Sequence, residues 1–353
     1  MHRIGWLAAS ALVFNGVAEA KLAPAAAPAL QCPATLPAGL QCASGPRGVA
    51  VSGTGEDAER FLSAIMEGAD RFEQHFGKKV SPAALVEPSD RFDALRPALK
   101  SRVAFPWVKF KEDMVDASIE RVKAAQPNLS EEQINKIRKT QFQQAQLREL
   151  GAVSHEFCHL WLIRDFGFSE NQGVTNRHYG GSAPDWLDET AAVLCENETL
   201  IKDRRSMMRM LRKGALPWKL VPLQAFTTMA HPLAQREQEL LKSRPQAADA
   251  AAGAQPEKRG EGYFRRLTGD EAQAFIGDTN APGFYVQARV FADFLIEKSG
   301  RPDIFAGITA AALKGRSYEA WLAKNGKKNN LPSTMEELQT QWDAWLDTNY
   351  PKA

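Results

Sequence analysis

Apolar side chains at Phe61, Ile65 and Phe72 recur at helical intervals among charged neighbours from Glu56 to Phe76. That spacing predicts an amphipathic helix, with Gly77 as its stop. Ala83–Val86 and the run 103–108 are short apolar stretches bounded by turn or charge signals, which is the pattern of strands. Ser130-Glu131-Glu132-Gln133 has the form of a capping box and opens a helix running through Leu147. A further helix is expected over Gly151 to Phe166, stopped by Gly167, and another from Asp185 to about Met210, following Pro184. In the last third, helices are expected over 284–298, 302–313 and from Ser333 onward. There Ser333-Thr334-Met335-Glu336 repeats the capping-box form, and Leu338, Trp342, Trp345 and Leu346 share one apolar face. Residues 243–262 lack periodicity and carry Pro, Gly and charge, so they read as a flexible loop or linker. No internal repeat is seen. The fold class expected is α+β, a small mixed α/β N-terminal part followed by a mostly α-helical part.

The first twenty residues follow a different pattern. Met1-His2-Arg3 is a short basic start, Ile4 to Val17 is mostly apolar, and Ala18-Glu19-Ala20 is a small-x-small cleavage pattern. Together these read as a secretory signal over 1–20. No later segment has the ~18 uninterrupted apolar residues of a membrane span, so an exported protein, periplasmic or extracellular, is expected. Residues 21–55 begin as an Ala/Pro-rich leader, KLAPAAAPAL in 21–30. Export permits disulfides. Cys32 and Cys42 bracket a Pro- and Gly-bearing loop and are expected to pair, whereas Cys158 and Cys195 could bridge or stay as small buried side chains. The 44 Lys+Arg against 42 Asp+Glu leave a formal charge of +2 over 353 residues. With no basic run interleaved with aromatics, that balance excludes a generic polyanion binder and argues against nucleic acid.

The chemistry is concentrated at His155-Glu156-Phe157-Cys158-His159, an HExxH sequence on an expected helix. Four residues are about one turn, so both imidazoles project from one face and are suited to a shared Zn²⁺. Glu156, next to the first histidine, is placed to act as general base toward water. Cys158 is turned about 100° from His159 around the helix and is not expected to be a ligand.

Downstream, Asp185-Trp186-Leu187-Asp188-Glu189-Thr190-Ala191-Ala192 resembles the W-L-x-E-G-x-A segment of the gluzincin metallopeptidases, with Thr190 at the Gly position. The resemblance implies that Glu189 is the third zinc ligand. It also implies that Glu196, seven residues on, orients a ligand histidine or the water. Tyr285 to Leu295 is similar to the gluzincin Y-x-K-G-x-x-x-L-x-x-L stretch, with Gln287-Ala288 in place of Lys-Gly and Ala292 in place of the first Leu. This implies that Tyr285 donates to the oxyanion of a tetrahedral intermediate. His178 and His231 are further candidates for contacting substrate or oxyanion; alternatively His178 is a solvated loop residue, and His231 caps or packs.

The resemblance thus implies a gluzincin-like catalytic domain over 56–353. Its expected activity is that of a zinc metallopeptidase, with one zinc per chain and a peptide or protein substrate. The G-x-M-E-N segment by which aminopeptidases of this group hold a free amine is absent upstream of His155, which favours an endopeptidase. The alternative is an inactive zinc-binding protein of the same fold acting as a binding module.

Overall fold

The computed structural model describes residues 29–169, 181–243 and 279–352. The expected signal at 1–20, most of the 243–262 loop and His178 lie outside those residues. The chain divides into two compact units. The first comprises 29–161 with 194–203, and the second 162–193 with 204–352, as far as these are described.

The first unit is built on a four-stranded sheet, β1 (Gln41–Gly45), β2 (Gly48–Ser52), β3 (Ala83–Val86) and β4 (Val103–Pro106), in spatial order 1-2-3-4. β1 is antiparallel to β2, with Ala43 opposite Ala50. β2, β3 and β4 are parallel, with Ala50 opposite Leu85 and Leu85 opposite Phe105. Parallel strands need crossovers. These are α1 (Gly55–Phe76), between β2 and β3, and α2 (Phe92–Leu99), between β3 and β4. Thr54 caps α1 by accepting from the Asp57 amide at 3.1 Å, and Gly77 ends it at φ 64°, a conformation that costs glycine nothing.

β2 and β3 are buried on both faces, as parallel strands covered on each side should be. Val49, Val51, Ala84 and Val86 pack with Leu95 and Leu99 of α2 and with Leu30, Leu36, Leu40 and Cys42. The Cys32–Cys42 disulfide is formed, so this N-terminal loop is tied to β1. β1 and β2 lie inside the stretch 21–55 read as a leader, so the folded part begins before residue 56. The sequence signal is weak there because each strand has only five residues, and QCASG has no apolar alternation.

α3 (Lys111–Ala125) and α4 (Glu131–Phe166) follow. The first half of α4 packs Ile134 and Ala145 against Val115 and Ile119 of α3. Farther along, Phe157 packs edge-to-face with Phe105 (5.9 Å between centroids) and Trp161 is tilted against Phe72 (6.1 Å), fixing that stretch over the sheet and α1.

In the second unit the core forms around Trp186, Phe226, Phe291 and Tyr318. These come from α5 (Asp185–Cys195), the single turn α7 (Leu223–Phe226), α9 (Ala281–Ser299) and α11 (Tyr318–Asn325). Between them in sequence lie α6 (Glu198–Arg212), α8 (Pro232–Ser243) and α10 (Ile304–Ala312), and α12 (Met335–Asn349) ends the chain. Trp342 of α12 packs on Phe291 and Phe294. Its cap is Thr334, accepting from Glu337, one residue later than the expected Ser333–Glu336 box.

Among the described residues no helix is long and apolar enough to cross a membrane. A second disulfide joins Cys158 to Cys195. Two formed bridges are consistent with an oxidising, exported environment.

Candidate metal centre

α4 carries the HExxH sequence on one continuous helix of 36 residues. Its capping box is as expected, with Gln133 N donating to Ser130 Oγ at 3.2 Å and Ser130 N donating to the Gln133 side chain at 2.8 Å. The helix does not break after Leu147, which corrects the expectation of two helices. Gly151 is retained in the helix for space, because a Cβ there would lie 2.7 Å from both Asn197 Oδ1 and Leu200 Cδ1.

His155 and His159 project from the same face, and their Nε2 atoms are 3.3 Å apart. His155 Nδ1 is 3.1 Å from Glu196 Oε1. A carboxylate accepts, so the Nδ1 atom donates, and the Nε2 lone pair of His155 is left directed to the same place as that of His159. The continuous Asp185–Met210 helix read from the sequence is also corrected. α5 ends at Cys195, and Asn197 starts α6 by accepting from Leu200 N at 3.2 Å while donating to Leu147 O at 2.6 Å. Glu196 is therefore in the joint between helices, not on the helical face of Glu189. The joint is secured by Arg71, whose guanidinium donates to the carbonyls of Cys195 (3.3 Å) and Glu196. The Cys158–Cys195 bridge lies beside it, one residue from both His159 and Glu196.

α5 starts after Pro184, whose carbonyl accepts from Leu187 and Asp188. The helix carries Glu189, buried at 1% exposure. Thr190, where the family pattern has Gly, donates its hydroxyl to Trp186 O at 2.6 Å and so adds no unsatisfied group. His155, His159 and Glu189 form a group whose ligand atoms all lie within 4.8 Å of one another and which could hold a metal ion. The donor set fits. Two nitrogens bound at about 2.0–2.1 Å to one tetrahedral ion stand about 3.3 Å apart, and the two Nε2 atoms already have that separation. Glu156, the adjoining residue of α4, is buried.

Tyr285 lies in the first two turns of α9, buried, with the Arg204 guanidinium 5.2 Å from its ring centre and the His231 ring at 5.4 Å. His231 Nε2 is 3.8 Å from Glu189 Oε2. Its Nδ1 accepts from Leu233 N at 3.2 Å, so the capping role considered from sequence is realised at the start of α8.

Three residues escaped the sequence reading. Gln287, noted only as a departure from Lys, pairs both ends of its amide with the backbone of Val221, at 2.8 and 2.6 Å. Arg289 donates to Val193 O at 3.2 Å and to Asp293 at 2.7 Å, fixing the last turn of α5 to α9. Glu149, on α4, is buried against Trp107 and the Phe110 amide, and burial pushes its carboxyl up to about 7. A buried polar residue on a helix with no local partner in sequence gives little signal, since both partners come from the segment just after β4.

Compared with protein-family models, curated proteins and solved structures, the chain matches none.

Proposed function

We propose that this chain is an exported zinc-dependent metallopeptidase of gluzincin type, acting on peptide or protein substrates as an endopeptidase. The observation that carries the reading is the His155, His159 and Glu189 group on two helices, with Glu156 adjoining the first histidine. These three residues would hold zinc, and zinc when bound supplies Lewis acidity toward a carbonyl and toward water. Two imidazoles and one carboxylate, the group found among the described residues, would give the three-ligand count of a catalytic rather than a closed structural zinc site.

The remaining work belongs to the chain. Glu196 keeps His155 in the tautomer whose Nε2 can ligate. Glu156 takes the proton of the attacking water on its carboxylate and delivers it to the departing amine nitrogen. The Tyr285 hydroxyl is assigned to the oxyanion, donating a hydrogen bond as negative charge develops on the former carbonyl oxygen.

The test uses the purified mature chain. About one zinc per chain by mass spectrometry, together with chelator-sensitive cleavage of a peptide library, is expected. Glu156→Gln should keep the zinc and lose cleavage by at least a hundredfold. Equal cleavage by that variant would remove the mechanism.

A further inference from the structure

We infer that His231 is a positioning residue that holds the Glu189 carboxylate in place for the metal, an inference that rests on the metal reading above. Sequence left His231 either contacting substrate or capping a helix. Its surroundings keep the cap on Leu233 and give the ring a second role.

The ring is 1% exposed, as is Glu189. It is fixed at three points. The His231 backbone N–H donates to Asp185 Oδ2 at 2.6 Å, and Asp185 lies one turn before Glu189 on the same helix. Ring Nδ1 accepts from Leu233 N at 3.2 Å. The ring packs edge-to-face with Phe284 (5.0 Å between centroids, interplanar 80°) and tilted against Tyr285 (5.4 Å, 36°). An Nδ1 atom that accepts carries no proton, so the ring proton is on Nε2. That nitrogen is the one 3.8 Å from Glu189 Oε2.

The distance is longer than a direct hydrogen bond. The pair is nevertheless buried, and a fixed N–H dipole beside a carboxylate is screened little there. The backbone bond to Asp185 and the ring approach to Glu189 both bind His231 to α5. The imidazole therefore cannot leave the carboxylate without giving up the cap of α8. With Nδ1 accepting from Leu233, Nε2 beside Glu189 and the ring 1% exposed, the ring is not open to a substrate oxygen. What it does is favour the orientation of the Glu189 carboxylate in which Oε2 faces Nε2.

The experiment compares wild type with His231→Leu and His231→Gln. Gln places an amide N–H near the position of Nε2, whereas Leu keeps bulk and removes the donor. Zinc affinity is read by competition with a chromophoric chelator, and the melting temperature of the metal-free chain is read in parallel. Wild type should take one zinc. His231→Leu should bind it 10–100-fold more weakly, while His231→Gln recovers to within about threefold of wild type. Both variants lose the ring cap on Leu233, so their metal-free melting temperatures should fall together, which separates positioning from bulk stability. Nitrogen-15 spectra of wild type, needing no variant, should show a pyrrole-type Nε2 and a pyridine-type Nδ1. Wild-type affinity in His231→Leu, affinity in His231→Gln as low as in the Leu variant, or a proton on Nδ1 would overturn the inference while leaving the metal reading standing. A wild type that takes up no zinc would overturn both.

Discussion

Glu149→Gln isolates the cost of one buried carboxylate on the helix that carries the histidines. The Glu149 side chain is buried, the residue being 1% exposed, and its Oε1 accepts from Phe110 N at 3.1 Å and Trp107 Nε1 at 3.3 Å, with Lys111 Nζ 3.9 Å from Oε2. Desolvation outweighs these favourable contacts and raises its pKa from the ordinary 4.5 to about 7. Between those values the folded chain holds a proton that the unfolded chain has released. Stability from this group is therefore complete below about pH 4.5 and declines as pH rises to about 7. A gap of about two and a half pH units is worth about 3 kcal/mol at 1.36 kcal/mol per unit. Gln can accept the same two hydrogen bonds through its amide oxygen and does not titrate. The assay is urea unfolding of the metal-free wild type and variant at intervals from pH 4.5 to 8.5 in constant salt. The stability difference, variant minus wild type, should climb toward about 3 kcal/mol across that range and level off above pH 8. A difference that stays flat, or that falls with pH, would refute the reasoning.

Gly151→Val should destabilise the chain by about 1–3 kcal/mol, because its side chain would enter space held by Asn197 and Leu200; thermal unfolding measures it. Removing the Cys158–Cys195 bridge as Cys158→Ser with Cys195→Ser should cost about 2–4 kcal/mol. It should also weaken zinc binding, because the bridge adjoins His159 and Glu196; denaturant melts and chelator competition read the two effects. Glu196→Gln should lower zinc affinity about 10–100-fold by loosening control of the His155 tautomer. Its metal-free melting temperature should change by only a few degrees.

Local signals carried well from sequence to structure. Gly77 and the Ser130–Gln133 box each depend on residues within a few positions, and the end of α1 and the start of α4 are where those signals put them. The two histidines were legible for the same reason, since one helical turn fixes their relation. Glu189 was legible only through resemblance, because nothing in residues 160–188 says how far the chain travels before returning. Where packing overrides local preference, the reading failed. Gly151 looks like a break and is a point of close approach, while the chain at Glu196 looks helical and is a joint held by Arg71 and Asn197. β1 and β2 were missed because five-residue strands are identified by their partners, not by their own composition. The disulfide state of Cys158 and the proximity of His231 to Glu189 depend on residues 37 and 42 positions away, distances that no periodicity spans.

The most direct measurement is isothermal titration of zinc into the metal-free mature chain, run beside Glu189→Ala. Saturation at one ion per wild-type chain, with binding weakened at least a hundredfold in the variant, is the result expected of a site built from two α4 imidazoles and the α5 carboxylate. No heat from the wild type, or the same isotherm from both proteins, would contradict it.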